Sequence, residues 1–139
     1  MTDTTIATTA AAPPKLMPWA GWALTVLVAL FLAMDSVMKL LDMPFVRAAS
    51  LQIGFPVTLD RTIGVIELAC LILYIVPRTA VLGAIVTTGL LGGAVAAHFR
   101  LGDPLFSHVL FGVYVGAMAW GGLWFRDARL RALIPLAAR

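Results

Sequence analysis

The chain has 139 residues, 61% of them hydrophobic and 12% charged, with a formal net charge of +3 and a mean hydropathy of +0.97. Soluble domains are about 45–50% apolar and about 25% charged, so the composition excludes a soluble enzyme and implies a small integral membrane protein with one compact bundle. Its basic residues are spread over loops and ends rather than gathered into a stripe, which argues against a nucleic-acid partner.

Residues 1–17, rich in Thr and Ala with Pro13 and Pro14, read as a flexible N-terminal tail. The first basic residue after Met1 is Lys15, and the apolar run behind it is long enough to span a bilayer. A retained span is therefore expected rather than a cleaved signal peptide. The domain proper covers 18–126, and 127–139 form a basic C-terminal tail.

Four apolar segments follow in order, over residues 19–41, 62–76, 79–99 and 106–125. Spans need about 20 residues, so the second is short and must start near Leu59 or tilt. Without water to pair the backbone, each must be helical. The expected fold is an all-α membrane four-helix bundle. Pro77-Arg78 makes a tight turn between the second and third segments, and residues 101–104 make a short one between the third and fourth. Short connections force antiparallel neighbours. The longer connection carries a helix start at Asp42 and Pro44 and a stop at Gly54-Phe55-Pro56. A short helix over 45–53, in the interface or dipping into the bundle mouth, is expected between them.

Lys15, Arg78, Arg126, Arg129, Arg131 and Arg139 fall on the side of both termini, against Lys39, Arg47, Arg61 and Arg100 on the other. The positive-inside rule then places both termini in the cytoplasm of a plasma-membrane protein. Trp19, Trp22, Trp120 and Trp124 fall in the cytoplasmic aromatic belt. Gly89, Gly93 and Ala97 in the third segment, and Gly112 and Gly116 in the fourth, have the four-residue spacing that lets membrane helices approach closely.

The few ionisable residues inside the segments gather toward one face of the membrane. Asp35 and Lys39 end the first segment, Glu67 lies just inside the second, His98 closes the third and His108 opens the fourth. A charge at the bilayer centre costs roughly 2.5–3.5 kcal/mol on insertion scales, so such residues are functional candidates by default. Asp35 and Lys39 share a helical face and suit an ion pair. Glu67 needs a partner among Lys39, Arg61, Arg100 and the histidines. A lone carboxylate at the depth of Glu67 is protonated or paired and imidazole titrates near neutral pH, so Glu67 and His98 are the candidates for proton handling. Asp35, Lys39, Glu67, His98, Arg100 and His108 are the candidate binding residues. No tight ligand spacing for a metal is present, and the single cysteine, Cys70, reads as a small core residue.

The blocks Met34-Asp35-Ser36-Val37-Met38-Lys39-Leu40 and Ile63-Gly64-Val65-Ile66-Glu67-Leu68, the turn around Pro77-Arg78-Thr79, the stretch from Thr88-Gly89 to Ala97-His98-Phe99-Arg100 and the ending Trp124-Phe125-Arg126-Asp127 together resemble the DoxX-like family of small membrane proteins. The resemblance implies a four-helix bundle. It also implies, for some relatives, quinone-linked oxidation or membrane oxidoreductase complexes, and for others the assembly of partner proteins. Three roles follow as expectations: a quinone- or lipophile-linked redox component with a polar pocket near the non-cytoplasmic side, a membrane assembly factor or partner subunit, and a small transporter built as a homo-oligomer. With one cysteine, dithiol chemistry by this chain alone is disfavoured.

Overall fold

The computed structural model describes residues 16–133, and these are all-α. Helix α1 runs Leu16–Leu40, α2 Pro44–Gln52, α3 Asp60–Ile75, α4 Ala80–Leu101, α5 Phe111–Arg126 and α6 Ala128–Leu133. A single turn of tight 3-10 helix, Val57–Leu59, leads into α3, and a π-helical turn, Leu105–Val109, leads into α5. Three stretches are long and apolar enough to cross a membrane: Pro18–Leu40, Ala80–Leu101 and Leu105–Arg126. At 16 residues, α3 is only about 24 Å long, against a hydrocarbon core of about 30 Å.

Helix α1 packs against α3 and α5, and α4 packs against the same two. The core between them holds Val28, Leu32, Leu71, Tyr74, Ala84, Leu91, Val115, Ala119 and Leu123. The outer surface is equally apolar, with Leu27, Leu30, Met34, Val65, Ile72, Leu82 and Ile85 all exposed. That inversion belongs to an integral membrane protein, whose outward side chains meet lipid rather than water.

Sequence chemistry sets the turns. Thr79 Oγ1 donates to the Leu73 carbonyl at 2.9 Å, drawing the end of α3 onto the start of α4. Gly102, with φ +72°, ends α4 in a left-handed conformation that side-chain-bearing residues rarely adopt. Asp42 does not cap α2. The residue at that cap is Met43, without a side-chain bond, because the Asp42 carboxylate is taken by Arg47 at 2.6 and 2.7 Å. The short helix expected over 45–53 is present as α2.

The tail expected over 1–17 lies outside the described residues except for its last two. Part of the segment expected as a C-terminal tail is folded: α6 tucks Leu130 into the core. Arg131 donates to the Trp124 and Phe125 carbonyls at 2.9 Å each, satisfying two of the orphan acceptors at the end of α5.

Candidate functional site

The second half of α1 brings Phe31, Asp35 and Lys39 to the end of the bundle opposite the start of that helix. The antiparallel order brings the first turns of α3, the last three turns of α4 and the start of α5 to the same place. Between them lies a cavity of about 620 Å³. Its polar wall holds Asp35, Lys39, Ser50, Asp60, Glu67, His98 and His108, and its apolar wall includes Phe31, Phe45, Ile63, Leu90 and Phe111. Helix α2 and the loop behind it close one side with Val46, Ala49, Ile53 and Phe55.

Lys39 is the centre of the polar wall. Its Nζ donates to Asp35 Oδ2 at 2.5 Å and to Glu67 Oε2 at 2.9 Å. The Glu67 side chain is 4% exposed and that of Lys39 18%. The ammonium therefore ties α1 to α3 and serves two carboxylates at once. Charge counting gives the cluster one surplus negative charge when both carboxylates are ionised, and none when one carries a proton. Of the partners open to Glu67 from sequence, the structure selects Lys39.

The histidines also line the cavity. The His98 and His108 rings are 5.8 Å apart between centroids and inclined at 59°. His98 Nδ1 lies 2.6 Å from Asp103 Oδ2, and His108 Nδ1 lies 2.8 Å from Ser107 Oγ. His108 sits in the π-helical turn, a wide winding that recurs at functional sites. Arg100 is placed elsewhere. Its guanidinium donates to the Ile53 carbonyl at 2.9 Å, pinning the loop after α2 to the end of α4, and it is absent from the cavity wall.

Glycines on α4 play a different part from the expected one. A Cβ built on Gly89 or Gly93 would meet nothing within 4 Å, and both residues line the cavity. Their missing side chains widen the cavity wall, and no other helix among the described residues packs on them. Gly112 does allow a close approach, since a Cβ there would lie 2.9 Å from Val95 Cγ2 and 3.0 Å from the Leu91 carbonyl oxygen. Trp120, expected in the aromatic belt, donates its ring N–H to Thr88 Oγ1 at 2.9 Å and thereby joins α5 to α4.

Sequence reading missed Asp60 and Ser50. Asp60 is 1% exposed and Ser50 9%, and Ser50 Oγ lies 2.5 Å from Asp60 Oδ1. Nothing local marks them, because they meet only when α2 folds back over the first turn of α3. Cys70 is buried and free. Among the described residues no group of three His, Cys, Asp or Glu side chains is arranged to hold a metal ion.

A sequence model of the DoxX-like family matches residues 23–122, which contain the whole cavity wall. The chain belongs to the DoxX-like family. No curated protein and no solved structure shows significant similarity to it.

Proposed function

We propose that this DoxX-like protein binds a lipophile in the cavity and exchanges protons with it, as a quinone-linked redox component of the plasma membrane. The observation that carries the reading is Lys39, shared between Asp35 and Glu67 in the wall of a chamber otherwise lined mainly by apolar and aromatic residues. Buried charge in a membrane bundle is costly and tends to mark substrate paths or proton relays. A purely structural tie needs one pair; the second carboxylate adds a site that gains or loses a proton while Lys39 keeps the cluster together.

The residues fit a quinone head. Lys39, His98 and His108 offer hydrogen-bond donors, Asp35 and Glu67 offer acceptors, and Phe31 and Phe111, edge to face with centroids 5.3 Å apart, offer aromatic walls. A bound quinone would supply a couple of two electrons and two protons. Glu67 and His98 are assigned the exchange of protons at that head, and Asp35 holds the Lys39 ammonium in place. In this reading a redox partner protein exchanges the two electrons with the quinone, and the chain's single cysteine offers no dithiol for that step.

In the same reading α3 is the fourth span, lengthened by the turn Val57–Leu59 before it. Both termini face the cytoplasm, in keeping with Arg78, Arg126, Arg129 and Arg131 at their end of the bundle. The cavity then opens toward the non-cytoplasmic side.

Native mass spectrometry of protein released gently from its membrane tests this directly. A retained lipophile that is lost in Glu67→Gln, with expression and helicity unchanged, is the expected result. A stoichiometric protein partner with no lipophile in either form would overturn it in favour of an assembly role.

A further inference from the structure

We infer that Asp60 is a ligand-binding residue, and that the cavity takes a lipophile whose polar head donates hydrogen bonds: a hydroxyl, phenol or amine rather than a carboxylate or an ether. The inference rests on the reading of the cavity as a ligand site and names the chemistry of its occupant.

Asp60 lines the cavity and is 1% exposed. Ser50 engages only one of its oxygens, at 2.5 Å. The other, Oδ2, is buried and has no hydrogen-bond partner among the described residues. Buried polar atoms are nearly always paired, and an unpaired one calls for an explanation. No cation hydrogen-bonds to Oδ2: Arg47 lies near enough to feel the charge of Asp60, but its guanidinium is bound to Asp42. Lys39 is committed to Asp35 and Glu67, while Arg47 and Arg61 face Asp42. An ionised carboxylate accepts and never donates, so the group that completes Asp60 must bring an N–H or O–H.

The rest of the wall points the same way. Asp35, Glu67 and Asp60 present three carboxylates to the cavity against the one ammonium of Lys39. An anionic head would meet surplus negative charge, and an acceptor-only head, the oxidised quinone included, would leave Oδ2 unpaired; of the quinone couple it is the reduced quinol, with its hydroxyls, that Asp60 binds. A donor head satisfies Oδ2 while its chain lies along Phe45, Ile53 and Phe55, which flank Ser50 and Asp60 in the same wall.

The experiment compares p-octylphenol with its methyl ether and with p-octylbenzoate, each binding to the full-length protein in lipid nanodiscs, with empty nanodiscs as the partition baseline. The phenol is expected to bind about tenfold more tightly than the ether, the size of one hydrogen bond to a charged acceptor, and the benzoate more weakly still. Asp60→Asn keeps the side-chain shape and should remove that preference. Leu82→Ala, on the exposed outer surface and outside the cavity lining, should keep it, and an unfolding temperature of Asp60→Asn equal to that of the wild type in the same nanodiscs guards against a folding defect. Equal binding of phenol and ether by the wild-type protein would overturn the donor-head assignment and leave the cavity reading standing. A phenol preference that survives Asp60→Asn would overturn the role of Asp60. Failure of every probe to bind above the empty-nanodisc baseline would overturn the cavity reading and this inference with it.

Discussion

At the end of the bundle where α1 begins and α5 finishes, helices touch backbone to backbone; at the opposite end close contacts persist at Gly64 and Gly112, but a cavity opens between the helices. Gly83 lies directly on the backbone of Leu73 and Tyr74. A Cβ on Gly21 would come within 2.9 Å of the Gly122 carbonyl oxygen. Tyr74 is fully buried there and donates to the Ala119 carbonyl at 3.0 Å. Two to three turns farther along α4 the same residue type does the reverse, since Gly89 and Gly93 meet no neighbour among the described residues and border open space. The contrast separates the work of the two ends. In lipid, helix association depends on close van der Waals contact and on interhelical hydrogen bonds. The closed end combines backbone contact with the Tyr74 bond, while the open end, with its contacts at Gly64 and Gly112, adds the charged bridge of Lys39 between α1 and α3.

The largest effect is therefore expected from removing that bridge. Lys39→Met leaves two carboxylates facing each other in a wall where Glu67 is 4% exposed. Breaking a buried pair by deleting one partner costs about 3–5 kcal/mol, with the lower figure apt here because Asp35 retains access to solvent. Unfolding in a detergent titration should show the loss, and adding Glu67→Gln to the same chain should restore part of it. If Lys39→Met is as stable as the wild type, the open end does not depend on its ion cluster and the contrast drawn above fails.

A single substitution made at both ends of α4 sharpens the comparison. Gly83→Ala forces a methyl group into the backbone of Tyr74, and overpacking of this kind costs about 1–3 kcal/mol. Gly93→Ala meets nothing and should stay within about 0.5 kcal/mol of the wild type. Thermal unfolding of the two variants side by side reads the difference. Equal destabilisation would mean that α4 is packed alike along its whole length.

These glycines also show where the sequence stops informing. Hydropathy, turn residues and charge were enough to place α1, α4, the short helix α2 and the antiparallel order, since each depends on local spacing. The gathering of Asp35, Lys39, Glu67, His98 and His108 at one end could be read from that order alone. The role of each glycine could not, because four-residue spacing is the same whether the bare face meets a helix or a void. Gly21, Gly64, Gly83 and Gly122 form close contacts without standing out in the chain. Asp60 was equally silent. A carboxylate ahead of an apolar segment looks like a solvated helix start, and only the return of α2 across α3 buries it against Ser50.

The smallest effect on stability, and the most informative about the loop, is expected from Arg100. Its bond to the Ile53 carbonyl is solvent-exposed, and an exposed contact of this kind is worth about 1 kcal/mol or less. Arg100→Gln should therefore fold normally. The bond nonetheless crosses from the end of α4 to the loop whose Ile53 and Phe55 close the cavity. Loosening it should raise amide hydrogen exchange over residues 53–55 and leave exchange in α4 and α5 unchanged. Release of a bound lipophile should quicken, while its equilibrium selectivity between donor and acceptor heads stays the same, because Arg100 is not in the wall. If Arg100→Gln abolishes binding as fully as Glu67→Gln does, without changing exchange in the loop, then Arg100 contacts the ligand itself and the cavity extends past the loop that now bounds it.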